Sequence, residues 1–126
     1  MSSVFTKIIN GEIPCYKIYE DDKTLAFLDI SPQTAGHTLV IPKKEVDKIY
    51  DLDDADYQAL MQTVKKLSKH MEKVYGSRTI WKVIGNDVPH AHVHLMPFDD
   101  TWYQGRHLEL KPEEFKEIQQ KLALRD

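Results

Sequence analysis

Apolar residues recur along this chain with two different periods, and the change of period marks out its elements. Tyr16–Glu20 and Thr24–Ile30 alternate or run apolar over short spans with β-branched and aromatic residues, which predicts two strands. Asp21-Asp22-Lys23 between them is turn chemistry, so 16–30 is expected to be a hairpin. The loop Ser31-Pro32-Gln33-Thr34-Ala35-Gly36 leads into a third strand, His37–Pro42, stopped by its proline. Tyr57, Leu60, Met61, Val64, Leu67, Met71 and Val74 then follow helical spacing. Asp53 suits the N-cap of that helix and Gly76 its stop. Strands are predicted again over Thr79–Ile84 and Val88–Phe98. Pro112 opens a last helix carrying Phe115, Ile118 and Leu122. Phe5–Ile9 forms a helical turn closed by Asn10-Gly11. The sum is an α+β layout, with about five mostly antiparallel strands, one long helix and one C-terminal helix.

The stretch that stands apart is His90-Ala91-His92-Val93-His94-Leu95-Met96-Pro97. In a strand, side chains at i, i+2 and i+4 share a face, with successive ones roughly 6.5–7 Å apart. His90, His92 and His94 are therefore expected to project together, while Ala91, Val93 and Leu95 face a core. On a helix the same residues fan out by about 100° per step and form no common site. Three readings remain on the residues alone. The rings are structural, although each buried imidazole left unsatisfied costs ~1–3 kcal/mol. They hold zinc with a third ligand from His37 or Glu45. Or they perform covalent chemistry at phosphorus, one imidazole attacking, a second protonating the leaving group and a third fixing a tautomer. His70 and His107 stand isolated and read as ordinary structural histidines.

Composition narrows the partners. The chain has 126 residues, 41% hydrophobic and 29% charged, which suits one soluble domain over 1–126. Its formal net charge of -3 offers no global basic field for a nucleic-acid polymer, although a mononucleotide needs only local donors. Cys15 is the single cysteine, so neither an internal disulfide nor a thiolate metal site is available. The start Met1–Lys7 shows no apolar leader, and no stretch approaches the ~18 apolar residues of a membrane span. A cytoplasmic protein without a membrane partner is the expectation.

The triad segment matches the His-φ-His-φ-His-φ-φ pattern of the histidine-triad (HIT) nucleotide-binding family, where φ is an apolar residue. Two further blocks agree: 25–33, Leu-Ala-Phe-Leu-Asp-Ile-Ser-Pro-Gln, continued by 36–44, Gly-His-Thr-Leu-Val-Ile-Pro-Lys-Lys; and 5–14, Phe-Thr-Lys-Ile-Ile-Asn-Gly-Glu-Ile-Pro. The blocks come in the family's order and cover residues 3–98, with 99–126 a C-terminal extension bearing the last helix. The chain most resembles the phosphoramidase-like branch of small homodimeric members.

That resemblance implies a HIT-like fold, a homodimer, no cofactor, and a hydrolase or nucleotidyl transferase acting without a metal. It implies that His92 attacks the α-phosphorus of a purine nucleotide and that His94 contacts the phosphate and leaving group. His90 and His37 lie behind and orient His92. Asp29 accepts from the ribose hydroxyls, and Val4, Phe5, Ile8, Phe27, Ile30 and Leu39 form the slot for the base. Implied substrates are nucleoside phosphoramidates or aminoacyl adenylates of AMP or GMP. The alternatives are dinucleoside polyphosphate hydrolysis, or a nucleotide-binding scaffold with incidental activity. The sequence departs from the pattern at three places. Ser3, Thr6 and Glu45 replace the zinc ligands of some relatives. The loop before the triad is shortened to Gly85-Asn86-Asp87-Val88-Pro89, with Asp87 where relatives carry a neutral hydroxyl and with Asn86 and the backbone at Gly85 left for the phosphate. Trp102 and Tyr103 stand where they could cover the leaving-group side or make a dimer contact.

Overall fold

A computed structural model describes residues 3–124. The elements run α1 (Val4–Ile9), β1 (Lys17–Glu20), β2 (Thr24–Leu28), β3 (Thr38–Pro42), α2 (Asp54–Tyr75), β4 (Thr79–Lys82), β5 (Val93–Pro97) and α3 (Pro112–Leu122), with short 3-10 turns at Ile49–Asp51 and Trp102–Gln104. The five strands form one antiparallel sheet in the order β1-β2-β3-β5-β4. The expected α+β layout is the observed one. No helix among the described residues is long and apolar enough to cross a membrane.

The helix signals act as chemistry predicts. The Asp53 carboxylate accepts from the Asp56 backbone N–H at 2.8 Å, and Gly76 ends α2 in the left-handed region at φ 69°. Leu60, Val64, Leu67 and Met71 lie on the buried face. Tyr57, in the first turn of α2, was expected there but is 43% exposed. Thr63 takes a core place instead, its hydroxyl bonded to that of Thr24 at 2.8 Å.

The sheet is buried on both faces, which is why β3 reads as a continuous apolar run rather than an alternating one. Ala26, Leu28, Val40, Val93 and Leu95 pack against α2 and α3 in the main core. Leu25, Phe27, Leu39 and Ile41 point the other way and meet Phe5 of α1 in a second, smaller cluster. Cross-strand register aligns Phe27, Leu39, His94 and Lys82 in one row on that second face.

Three strands are shorter than their sequence pattern. β2 stops at Leu28 because the Asp29 carboxylate turns the chain by accepting from the Ser31 N–H at 2.8 Å. β4 stops at Lys82, two residues before Ile84. The triad strand begins at Val93 rather than Val88: its partner β4 ends at Lys82, opposite His94, and the chain turns back on itself at His90 N–H to Val88 O.

Gly36 closes the loop before β3 at φ +92°, and a Cβ there would lie 2.9 Å from the Tyr75 hydroxyl oxygen. Gly36→Ala is expected to lower the urea midpoint by the equivalent of ~1–3 kcal/mol. Gly85→Ala, at φ +83° with nothing within 4 Å of the added carbon, should cost less because only the backbone is strained.

Candidate active site

The triad is not a row of equivalent rings. His94 stands on β5 with the small cluster, while His92 and His90 precede the strand. Alternation persists through the irregular stretch: Ala91 enters the main core, and both His90 and His92 lie edge-on to Phe5, at 5.8 and 5.0 Å between centroids. The rings of His92 and His94 are 5.0 Å apart, and those of His37 and His94 5.1 Å.

Proton positions follow from the partners, because a backbone N–H only donates and a carbonyl only accepts. The His90 carbonyl lies 2.7 Å from His92 Nδ1, so that nitrogen carries a proton, and in the neutral ring the lone pair is on Nε2. The Gln33 N–H donates to His37 Nδ1 at 3.0 Å, which leaves the proton on His37 Nε2. That proton is donated to His94 Nδ1 at 2.9 Å, so His94 carries its own on Nε2. One exposed lone pair and one exposed N–H thus stand on neighbouring rings. His90 orients His92 through its backbone carbonyl, whereas its ring is spent elsewhere.

That ring donates from Nε2 to the Pro42 carbonyl at 2.8 Å and accepts at Nδ1 from the Ser3 hydroxyl at 2.9 Å. Ser3 is also the N-cap of α1, its Oγ accepting from the Thr6 N–H at 3.0 Å. Glu45 accepts from both the Ser3 N–H and the Thr6 hydroxyl. The three residues that depart from the zinc-bearing pattern therefore meet at His90 and satisfy one another. Two hydroxyls and a carboxylate already engaged in this way do not fit a structural zinc, which favours thiolate and imidazole.

Burial sets the charge state. It pushes His37 down to about 3 and His94 down to about 4, helped in each case by a neighbouring imidazole and by Lys82. His90 is lowered by burial as well. All three are neutral near pH 7. The Asp29 carboxyl is raised, burial outweighing the Ser31 N–H that it accepts. Its Oδ2 lies 3.5 Å from His37 Nε2. Ligand atoms of Asp29, His37 and His94 fall within 4.8 Å of one another, but the His37–His94 hydrogen bond occupies the space between the two rings. A cation would have to break it.

A cavity of about 280 Å³ opens onto His92 and His94. Val4, Phe5, Ile8, Phe27, Ile30 and Leu39 all line it, as does Asp29, so every expected base-slot residue is brought to one place. Ile30 forms the rim at 77% exposure. Cys15, absent from the expected set, lines it too. Asp87 is in its wall, whereas Gly85 and Asn86 line a smaller cavity of about 130 Å³ on the other side of His92. His37 sits behind His94 at 2% exposure.

Sequence reasoning missed two polar residues, Lys82 and Gln33. Lys82 faces His94 in the β4–β5 register and its Nζ donates to Gln33 Oε1 at 2.9 Å. Its only signal was a charge in the middle of the apolar run 80–84. His107, read as an isolated structural histidine, donates to the Ser31 carbonyl at 2.7 Å beside Asp29. The backbone of Trp102 donates to the Asp99 carbonyl at 3.0 Å, and the side chain of Tyr103 lies outside the described residues.

The chain is similar to known proteins in sequence and in fold. A family model described as the HIT domain matches residues 10–101. An uncharacterized HIT-like protein of Borreliella burgdorferi is 38% identical, over 96% of each chain. The adenosine 5'-monophosphoramidase of Schizosaccharomyces pombe is 37% identical over 82% of this chain and 79% of its own. The crystal structure of a Hit-like protein of Bartonella henselae superposes with a TM-score of 0.85 at 32% identity, covering 97% of this chain and 95% of that one.

A group held neutral by burial makes stability depend on pH. With His37 at about 3 folded against an ordinary 6.5, the unfolded chain binds the extra proton between those values, so stability falls as pH falls through that window. Urea midpoints measured from pH 7 to 4 should decline, His37 alone contributing ~1.4 kcal/mol per pH unit. His37→Gln should flatten the decline.

Proposed function

This chain belongs to the HIT domain family, and on that premise we propose that it is a nucleotide-binding hydrolase that transfers the nucleotidyl group of a purine nucleoside phosphoramidate, or of a related adenylate, to water through His92. The observation that carries this reading is the pair of proton positions at the cavity floor: a lone pair on His92 Nε2 and a proton on His94 Nε2. In their neutral forms the two rings present a nucleophile and a proton donor side by side. The phosphoramidase activity named for the S. pombe relative supports the same class of reaction.

In the first step His92 Nε2 forms a bond to the α-phosphorus as the P–N bond breaks. The departing nitrogen takes the proton from His94 Nε2 and leaves as a neutral amine; the anionic His94 ring so formed is held by the His37 Nε2–H and offset by the cationic ring of His92. The nucleotidylated imidazole of His92 then carries a positive charge, and its Nδ1–H is held by the His90 carbonyl, which stabilises that charge. In the second step His94, now with a lone pair on Nε2, takes a proton from water. The hydroxyl bonds to phosphorus, the P–Nε2 bond breaks, and both rings return to their starting states. Every proton is accounted for by the two histidines, and no metal enters.

The apolar slot formed by Phe5, Phe27, Leu39 and their neighbours takes the purine base, and Asp29 accepts from the ribose hydroxyls. Asp87 favours the phosphoramidate over the dinucleoside polyphosphate. Its carboxylate lies in the cavity wall and acts on His94, where a polyphosphate leaving group would add further negative charge.

His92→Ala is expected to lose turnover of adenosine phosphoramidate by ~10⁴-fold or more while still binding AMP. Full turnover in that variant would overturn the assignment, and loss of AMP binding together with folding would make His92 structural. Asp29→Ala should weaken AMP more than 2′-deoxy-AMP, measured by calorimetry; equal losses would remove the ribose role. Turnover should survive a chelator.

A further inference from the structure

We propose that Lys82 is a positioning residue of this site: through Gln33 it fixes which ring nitrogen of His37, and hence of His94, carries the proton. This deepens the hydrolase reading, since it rests on His94 as the proton donor.

The argument is one of connectivity. Lys82 ends β4 and stands in register with His94 on β5, so both side chains rise from the same face of the sheet as near neighbours. An ammonium group has only donors, so its bond to Gln33 at 2.9 Å requires the amide oxygen as acceptor. That bond ties the loop between β2 and β3 to a strand two positions away in the sheet. Gln33 in turn presents its backbone N–H to His37 Nδ1 at 3.0 Å, which keeps the His37 proton on Nε2. From there the chain continues to His94 Nδ1. Four residues from three elements make one directional series: the Gln33 N–H forces the roles of the two rings after it, and Lys82 holds that N–H in place through the Gln33 side chain. If the Gln33 side chain is released, its N–H is no longer held against His37. The imidazole is then free to exchange tautomers, and His94 loses the donor that keeps its own proton on Nε2.

The charge of Lys82 works in the same direction. It opposes a second proton on either ring, as does the neighbouring His92 toward His94. Asp87 acts oppositely on His94, and His107 adds a positive influence toward His37 and Asp29. Lys82 is absent from the lining of the cavity that holds His92 and His94, and its hydrogen bond is to Gln33.

The test uses the whole protein labelled with ¹⁵N-histidine, with two-bond ¹⁵N–¹H spectra reading the ring tautomers directly. The wild-type spectrum should show His94 protonated on Nε2 and bare on Nδ1. Lys82→Met should give mixed tautomers at His37 and His94. It should also lower kcat for adenosine phosphoramidate by about 10–100-fold, the usual range for a residue that orients a reacting group, and leave KM nearly unchanged. Lys82→Arg, which can still donate to Gln33, should restore both. Gln33→Ala should repeat the loss, and the double variant should be no worse than either single one. Unchanged tautomers in Lys82→Met, or strictly additive losses, overturn the proposal. Absence of turnover in the wild-type protein overturns the hydrolase reading instead, because the spectra need no substrate.

Discussion

The site depends on a restriction so simple that it is easily passed over: main-chain groups cannot exchange roles. Imidazole can present its proton on either nitrogen at little cost, so a cluster of histidines left to itself is an equilibrium of tautomers. Here the ends of the cluster are pinned by groups with a single option. The Gln33 N–H can only give, and the carbonyls of His90 and Pro42 can only receive. Four rings are thereby resolved into one arrangement before any ligand arrives. Preorganisation of this kind is what makes fixed dipoles effective in a site from which water is largely removed.

The packing supplies the second half of the condition. A charged imidazole would have its partners reversed, so the arrangement holds only while the rings stay neutral. Burial under α1 and within the sheet secures that, as the depressed values of His37 and His94 show. Phe5 contributes to both ends: its ring covers His90 and His92 edge-on and meets Phe27 at 5.6 Å in the apolar slot. The six-residue α1 is too short to be stable alone. It is fastened by Ser3, which caps it, bonds to His90, and through its own N–H is linked to Glu45. The hydroxyl–carboxylate–imidazole set thus performs a mechanical task, holding α1 over the slot and against His90.

Much of this was legible in the chain. The strand and helix periods located every strand and the two longer helices, Asp53 and Gly76 bounded the long helix, and the alternation at 90–95 separated the three imidazoles from Ala91, Val93 and Leu95. Resemblance supplied the roles of Asp29 and the slot residues, and those residues are brought together around the cavity. What stayed hidden has a common cause. Strand ends depend on where the partner strand stops, as at Lys82, and the pattern of one segment carries no information about its neighbour's length. Ser3 reaches His90 across 87 positions, and Lys82 reaches Gln33 across 49. A lysine within an apolar run looks like an edge residue until the sheet order sets it beside His94. His90 is the instructive case. Its ring was expected to orient His92, but the orienting atom is the carbonyl, which every residue possesses and no side-chain pattern can reveal.

The row formed by Phe27, Leu39, His94 and Lys82 across four strands carries a further consequence. Side chains on neighbouring strands can be matched only in whole steps, and a slip of a single residue between β3 and β5 turns His94 into the helix-packed core and Leu95 into the cleft. No intermediate placement exists between those two. The accuracy of the chemistry is therefore digital, inherited from strand pairing rather than adjusted locally. Mutations in the distant core will tend to leave it whole or abolish it, with few gradations between.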